Sequence, residues 1–194
     1  MTGVLASQQL RVMIDKGHLS ASAPFMDGQI QPASLDLRLG HTAYRVRASF
    51  LAGASRTVAD RLSDFKMHQI DLSEGAVLEK GCVYVVPLLE SLNLPAGVTG
   101  AASAKSSIGR LDLLTRSITA QGTELDRIPE GYTGPLYVEI CPQSFSVIAK
   151  TGQMLNQVIF RDGLTVIDDT ELKALHAKTP VVSGDAVISD GLGF

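Results

Sequence analysis

The stretch ASLDLRLGHTAYRV, residues 33–46, indicates the fold class of this chain. Hydrophobic and polar residues alternate through its first half, in the order Ser34, Leu35, Asp36, Leu37, Arg38 and Leu39. The alternation resumes beyond Gly40 with Tyr44 and Val46. Because successive side chains of a β-strand point to opposite faces, this period of two residues predicts two strands separated by a turn.

Similar runs follow this stretch along the chain. Three segments have β-branched or alternating character: VYVVPLL (83–89), PLYVEICP (135–142) and FSVIAKTGQMLNQVIF (145–160). Pro87 interrupts the first of them, which predicts an edge strand or the end of a strand. Helical spacing occurs only near the two ends, at residues 7–17, where Ser7 is the candidate cap, and at residues 168–178. Many short strands with little helix predict a mainly-β domain, either a barrel or a sandwich.

The composition limits the classes of partner. The 194 residues are 45% hydrophobic with a formal net charge of −3, which fits one globular domain. Non-specific nucleic-acid binding needs a basic surface, which this charge does not provide. Cys82 and Cys141 lie far apart and require no disulfide, so a reducing compartment is predicted. No secretory signal opens the chain and no run approaches the about 20 apolar residues that span a bilayer. We therefore predict a cytoplasmic protein with neither nucleic-acid nor membrane partners.

The segment SAKSSIGRL, residues 103–111, concentrates hydroxyls and cations. Lys105, Ser106, Ser107 and Arg110 could form a cradle for an anion, because backbone N–H groups, hydroxyls and cations converge in such turns. The pattern differs from the P-loop signature, and a solvated turn with a capping serine has the same spacing. The residues alone leave both interpretations open.

Polar residues also lie inside otherwise hydrophobic strands. Glu139 either faces a cleft, where it could act as a general base, or points to solvent. Gln157 either satisfies buried backbone groups or reaches a ligand. Asp36 and Arg38 are expected to pair with a neighbouring strand, which is a structural role.

Zinc chemistry is not indicated by the spacing of ligand-type residues. Zinc deaminases need a His or Cys followed by a closely spaced pair of cysteines. That spacing does not occur among His18, His41, His68, His176, Cys82 and Cys141. A serine hydrolase is not indicated either, because the sequence contains no Gly-x-Ser-x-Gly motif.

Four segments taken in order resemble one family, the dCTP deaminases of the dUTPase-like superfamily. They are IQPASLDLRLG (30–40), AKSSIGRLDL (104–113), GYTGPLYVEI (131–140) and GQMLNQVIF (152–160). The resemblance implies a mainly-β, dUTPase-like distorted β-barrel or jelly-roll (β-clip) with short N-terminal and C-terminal helices. It implies a homotrimer with active sites at subunit interfaces. It also implies a catalytic domain over residues 1–165, followed by a C-terminal helix and tail over residues 166–194.

The resemblance further implies hydrolytic deamination of dCTP to dUTP and ammonia without zinc. Mg²⁺ would arrive on the substrate triphosphate with no metal ligand from the protein, and dTTP is an implied feedback inhibitor. Glu139 matches the family's general base, and Ser106 and Arg110 match residues that hold the attacking water and the amino group. The substrate-binding residues implied are Lys105, Ser107, Gln157, Asp126 and Tyr132.

The sequence departs from the family pattern in three places. Pro129, within RIPEGY (127–132), stands where the family has an aspartate that contacts deoxyribose and, in dUTPases, activates water. Asp126 or Glu124 is the expected substitute. The loop over residues 111–131 is longer than usual, and the family's C-terminal closing segment has no match in residues 161–194.

These departures keep two alternatives open. One is a dUTPase or a bifunctional enzyme that converts dCTP to dUMP, and the other is a non-catalytic nucleotide-binding trimer module. The first halves of double-length relatives contain a phrase like GYTGPLYVEI (131–140). We therefore also expect that the chain corresponds to the first half of such a protein.

Overall fold

Antiparallel strands make up most of the computed structural model, which describes residues 3–163 and 167–182 and the backbone of residues 188–189 and 192–193. The strands are β1 (Gly3–Val4), β2 (Leu19–Ala21), β3 (Leu35–Arg38), β4 (Thr42–Val46), β5 (Lys66–Asp71), β6 (Ala76–Leu78), β7 (Val83–Asn93), β8 (Val98–Ala104), β9 (Leu113–Thr119), β10 (Arg127–Ile128), β11 (Thr133–Pro142), β12 (Val147–Ala149), β13 (Met154–Asp162), β14 (Ile188–Ser189) and β15 (Leu192–Gly193). The helices are α1 (Ser7–Asp15), α2 (Val58–Phe65), α3 (Ser106–Gly109) and α4 (Asp169–Lys178).

Two sheets carry the structure. The first has the order β1-β13-β8-β10, and β3 pairs with the part of β13 that β1 does not reach. The second has the order β5-β4-β7-β11-β9, with β2 paired to β7. Short ribbons join β6 to β12 and β14 to β15. The mainly-β prediction is therefore confirmed. The predicted boundary between residues 165 and 166 lies outside the described residues.

The main core contains the inward-facing side chains of both sheets. The predicted alternation supplies many of them, because every second residue of a half-buried strand faces inward. Fully or almost fully buried members include Leu35, Leu37, Leu39, Tyr84, Val86, Leu136, Val138, Ile140, Val158 and Phe160.

A buried ion pair joins a strand of one sheet to a strand of the other. Arg38 Nε lies 2.7 Å from Glu90 Oε1, and the side chains of both residues are at most 3% exposed. Gln29 donates to the same carboxylate at 2.8 Å, and the Arg38 guanidinium donates to the carbonyls of Pro24 and Ala23 at 2.7 and 3.0 Å. This network satisfies the charge of Arg38, so that the polar face of β3 is buried as completely as its leucine face.

The expectation that Pro87 marks an edge or a strand end is wrong. Pro87 lies inside β7, which has β4 on one side and β11 on the other. The register of β11 shifts between Pro135 and Tyr137, opposite Pro87, so an irregular ladder accommodates the missing N–H. The Pro87 carbonyl accepts from Gly40 N at 2.8 Å, and a Cβ at Gly40 would lie 2.5 Å from that oxygen. This close approach explains why glycine follows the leucine-rich strand.

Helix α2 was not predicted, since helical spacing was recognised only near the ends of the chain. Thr57 caps α2: its hydroxyl accepts from Asp60 N at 3.1 Å, while the Asp60 carboxylate accepts from Thr57 N at 2.8 Å. The hydrogen bond from Thr57 N, together with one from the Thr57 hydroxyl to the same carboxylate, holds the pKa of Asp60 below its usual value. The helix covers the outer face of the second sheet, where a second core contains Val46, Phe50, Val58, Leu62, Val85, Ile118 and Tyr137.

The two predicted terminal helices are present. Helix α1 begins at Ser7, but its N-cap is Ala6 rather than Ser7, and Gln9 Oε1 accepts from Ala6 N at 2.7 Å. Helix α4 is capped by Asp168, whose side chain accepts from Glu171 N at 2.8 Å. None of the described helices is long and apolar enough to cross a membrane.

We expect Arg38→Met to lower the free energy of unfolding by about 3–5 kcal/mol, because it leaves the Glu90 carboxylate buried without its cation. Denaturant titration followed by circular dichroism measures the change. Replacing both partners, Arg38→Met with Glu90→Leu, should restore most of the loss.

The control for this experiment is Arg56→Gln. Arg56 pairs with Asp64 at 2.8 Å, but the side chains of this pair are 38% and 49% exposed. Its loss should cost about 1 kcal/mol or less. Equal destabilisation by Arg38→Met and Arg56→Gln would contradict the importance of the buried pair.

Candidate active site

A cleft of about 410 Å³ contains two of the predicted substrate-binding residues, Lys105 and Gln157. Gln157 lies on β13 opposite Asp36 on β3 and Ser103 on β8, because β13 pairs with both strands at this point. Lys105 follows directly after β8. We call this site the lysine cleft; its other lining residues are Gln31, Pro32, Ala33, Ser34 and Ile159.

An ion pair between Lys105 and Asp36 organises the lysine cleft. The Lys105 ammonium group donates to Asp36 Oδ2, and Asp36 is 1% exposed. Asp36 Oδ1 is buried and has no hydrogen-bond partner within the described part of the chain. Ser34 Oγ donates to Gln157 Oε1 at 3.3 Å. The cleft thus presents an ammonium group and a side-chain amide, both of which can donate hydrogen bonds to a phosphate.

The predicted serine motif forms α3, a single helical turn. Lys105 occupies the N-cap position, and no side chain caps this turn. Ser106, Ser107 and Arg110 are exposed, and the hydroxyls and guanidinium form no hydrogen bond with other described residues. The segment is thus a solvated turn, but neither serine caps it, and these side chains are available to a ligand.

Glu139 is buried in the middle of β11. It is 6% exposed, and its register partners are Val85 on β7 and Arg116 on β9. Its Oε2 atom is buried, and neither carboxylate oxygen forms a hydrogen bond within residues 3–163 and 167–182. The solvent-exposed alternative for Glu139 is therefore wrong. Because an unpaired buried carboxylate is costly, such a group is typical of a functional position.

Asp126 binds Arg116, the residue that lies opposite Glu139 on the neighbouring strand. Arg116 Nε donates to Asp126 Oδ2, and Ser117 N donates to Asp126 Oδ1 at 2.7 Å. Both oxygens of Asp126 are thus engaged within the chain. Its predicted role in substrate binding stays a prediction. We call Glu139, Arg116 and Asp126 together the glutamate site.

The prediction of one long loop over residues 111–131 is wrong, because β9 and β10 lie within that range. Tyr132 connects the loop between these two strands to β11. Its hydroxyl donates to the Pro135 carbonyl at 2.6 Å and accepts from Ala120 N at 2.8 Å. Burial raises the pKa of this hydroxyl. These bonds position the loop, and substrate binding by Tyr132 stays a prediction.

The structure therefore divides the predicted residues between separate places. Lys105 and Gln157 share the lysine cleft, while Asp126 and Glu139 lie at the glutamate site on strands of the other sheet and the loop beside it. No hydrogen bond or ion pair of the described residues links Glu139 to Ser106 or Arg110. In the same part of the chain, no group of three or more His, Cys, Asp or Glu side chains could hold a metal ion.

Arg116 was missed in the sequence. Its position within LLTRSIT (113–119) gives no signal by itself, since an arginine on an alternating strand is usually solvated. Only the antiparallel register of β9 and β11 places it opposite Glu139. Arg116 can be found only when it is known that LLTRSIT (113–119) pairs with the strand that contains Glu139.

The fold and the two polar sites describe a two-sheet β-protein with a lysine-containing cleft and a separate buried carboxylate. The profile of the 2'-deoxycytidine 5'-triphosphate deaminase (DCD) N-terminal domain matches residues 1–164. The chain belongs to this dCTP deaminase family, which confirms the resemblance found in the sequence.

Relatives of known structure or name support this assignment. A solved 2'-deoxycytidine 5'-triphosphate deaminase from Agrobacterium tumefaciens is 48% identical with a TM-score of 0.87; the match covers 95% of this chain and 56% of that chain. A relative from Corynebacterium kroppenstedtii named "dCTP deaminase, dUMP-forming" is 32% identical over 164 residues, which is 78% of this chain and 79% of the relative. One of the same name from Beutenbergia cavernae is 27% identical over 158 residues, covering 81% and 78%.

We expect the lysine cleft to bind inorganic tripolyphosphate, and Lys105→Gln to weaken that binding about 10-fold or more through loss of a charge-assisted hydrogen bond. Isothermal titration calorimetry measures the affinity. Lys150→Gln is the control, because Lys150 is exposed and lies 4.0 Å from Glu74, which is also exposed. If both variants bind tripolyphosphate as tightly as the wild type does, the lysine cleft is not a phosphate site.

Proposed function

We propose that this protein catalyses the hydrolytic deamination of dCTP, with Glu139 as the general base. The observation that carries the proposal is the buried, unpartnered carboxylate of Glu139 in a chain of the dCTP deaminase family. A carboxylate held without hydrogen bonds in the resting protein keeps its acceptor capacity for a water molecule and the base.

The proposed reaction needs one proton carrier and no metal-bound water. Glu139 takes a proton from a water molecule as the oxygen of that water bonds to C4 of cytosine. The proton is delivered to ring N3, and the second water proton leaves with the amino group as the C4–N4 bond breaks. The products are ammonia and dUTP, and Glu139 returns to its ionised form. Zinc is not part of this scheme, because the carboxylate deprotonates the attacking water, which a zinc ion would otherwise activate by lowering the pKa of that water.

The substrate would enter as its magnesium complex. Lys105, Ser107 and Gln157 would hold the triphosphate, whose charge recruits Mg²⁺, and a second nucleotide triphosphate such as dTTP could occupy the same contacts as an inhibitor. A cytoplasmic location without nucleic-acid or membrane partners completes the proposal.

A complete site would combine residues of different subunits of a homotrimer. The support is the lack of any bond between Glu139 and Ser106 or Arg110 within one described chain. In the proposed assembly, Ser106 and Arg110 of one copy hold the water and the amino group next to Glu139 of another copy. The interface excludes bulk water and fixes these groups on rigid strands.

A second candidate function is the conversion of dCTP to dUMP. The names of the relatives from Corynebacterium kroppenstedtii and Beutenbergia cavernae favour it. The family aspartate is replaced by Pro129, and the expected substitutes are engaged: Asp126 by Arg116 and Glu124 by Arg127 at 3.1 Å. These pairs favour deamination as the main reaction.

One assay separates the candidate functions. Pure protein is incubated with dCTP and then with dUTP in the presence of Mg²⁺, and ammonia and pyrophosphate are followed separately. We expect ammonia from dCTP. Pyrophosphate from dUTP would support the dUMP-forming reaction, and dCTP binding without either product would support the non-catalytic module and overturn the proposal.

We expect Glu139→Gln to lower kcat by about 10²–10⁴-fold while dCTP still binds, because glutamine keeps the shape and loses the base. Glu74→Gln is the control, since the Glu74 side chain is 97% exposed. Rates come from ammonia release, and binding comes from calorimetry. Turnover by Glu139→Gln at the wild-type rate would exclude Glu139 as the base.

Subunit mixing tests the shared site. We expect Glu139→Gln and Ser106→Ala proteins to be inactive alone, and we expect an equal mixture of the two, after co-refolding, to recover as a whole about a quarter of wild-type activity. Light scattering checks the trimer independently. No recovery in trimers shown to be mixed would contradict a site built from two copies.

A further inference from the structure

Arg116 lies directly opposite Glu139 in the antiparallel pair of β9 and β11. Residues in register on adjacent antiparallel strands project from the same face of the sheet, with Cβ atoms about 4.5–5.5 Å apart. The Arg116 side chain is 41% exposed, so it reaches from the buried carboxylate toward the surface. Any ligand that meets Glu139 from this face also meets Arg116.

Asp126 fixes one edge of the Arg116 guanidinium. Its Oδ2 accepts from Arg116 Nε, and its Oδ1 accepts from Ser117 N at 2.7 Å. The Asp126 backbone also donates to the Ser117 carbonyl at 2.8 Å. The carboxylate is therefore anchored to the strand that carries Arg116, which restricts the directions in which the guanidinium can point.

The other edge of the guanidinium has no hydrogen-bond acceptor among the described residues. The two terminal nitrogens of Arg116 form no hydrogen bond or ion pair with the residues that the structure describes, and neither do the Glu139 oxygens. No ion pair within 4.0 Å joins Arg116 to Glu139, although their strands place them side by side. A donor group and an acceptor group thus remain available next to each other.

We propose that Arg116 orients the cytosine base by donating a hydrogen bond to its O2 atom. The inference rests on the proposed function, which places C4 and N3 of the base at Glu139. Cytosine carries its amino donor at C4 and acceptors at N3 and O2. Because Glu139 must receive the amino edge and deliver a proton to N3, O2 is the acceptor left for a neighbouring guanidinium. Arg116 then sets the angle at which C4 faces the attacking water, and Asp126 acts on the substrate only through Arg116.

The proposal assigns base recognition to a residue outside the four family-like segments. A fixed donor rejects ligands that offer no acceptor at that point, because the donor would be left desolvated and unpaired. Arg116 is therefore expected to matter for both cytosine and uracil nucleotides, which share O2. Selection of the amino group falls to Glu139.

The first experiment measures dCTP binding and ammonia release for three variants. Arg116→Gln should weaken dCTP binding about 10- to 100-fold by removing a charge-assisted donor. Arg116→Lys should fall between this variant and the wild type, because it keeps the charge and loses the planar fork. Asp126→Asn should weaken binding in the same direction, and asparagine tolerates the left-handed backbone at this position, where φ is 61°. Arg11→Gln is the control, since it removes the same charge from an exposed position on α1.

The second experiment identifies the atom that Arg116 contacts. In 2-thio-dCTP a sulfur replaces O2, and sulfur is a weak hydrogen-bond acceptor. The wild type should bind the thio analogue about 10-fold more weakly than dCTP, whereas Arg116→Gln should bind the two within about 3-fold of each other. An equal penalty in both proteins, or an Arg116→Gln variant that binds dCTP as the wild type does, would overturn the proposal.

The outcomes distinguish this inference from the proposed function. A wild type that releases ammonia while the Arg116 variants bind normally refutes the inference alone. A wild type that binds dCTP without releasing ammonia refutes the proposed function, and the thio comparison still decides whether Arg116 contacts O2. A wild type that does not bind dCTP refutes both. Circular dichroism checks that each variant is folded. If Arg116→Gln does not fold, the test is made with Arg116→Lys and Asp126→Asn.

Discussion

The buried ion pair between Arg38 and Glu90 connects the strand beside the lysine cleft to the sheet that carries the glutamate site. Arg38 is two residues beyond Asp36, which holds Lys105 in the cleft, and Glu90 lies on β7, which pairs with the strand of Glu139. The position of one sheet relative to the other is therefore fixed by a contact that water cannot reach. Buried charges of this kind require defined geometry, because a small displacement leaves an unpaired ion in a low-dielectric interior. The rigidity needed for preorganised chemistry begins at this pair.

The period of two residues was sufficient to predict the strands, but not their burial. Alternation predicts one exposed face for β3, yet all four of its residues are buried. The polar residues are inside because charged partners from β7 and from the end of β8 reach them, and those partners are far away in sequence. Pro87 was misplaced for a related reason, since an irregular register between β7 and β11 accommodates its missing N–H. Neither effect can be read from a local window.

In the candidate site, too, some features were predictable from the sequence and others depend on long-range pairing. Spacing alone left Lys105 to Arg110 and Glu139 undecided, and the order of four segments made them interpretable as a deaminase site. Arg116 could not be found this way, because its significance comes from the register of β9 against β11. Helix α2 was missed although its sequence carries local signals, namely a capping box of Thr57 and Asp60 and the apolar residues Val58 and Leu62 at helical spacing. Local chemistry was predictable, and long-range pairing was not.

The backbone of Asp126 adopts a left-handed conformation, with φ of 61°, that glycine occupies at lower energy. Glycine at this position would relax the chain, but it would also remove the carboxylate that holds Arg116. The hydrogen bonds from Arg116 Nε and Ser117 N to this carboxylate offset the strain of the backbone. Position 126 therefore meets two separate requirements, a residue that tolerates a left-handed backbone and a side chain with an acceptor for Arg116, and asparagine is the other residue type that meets both.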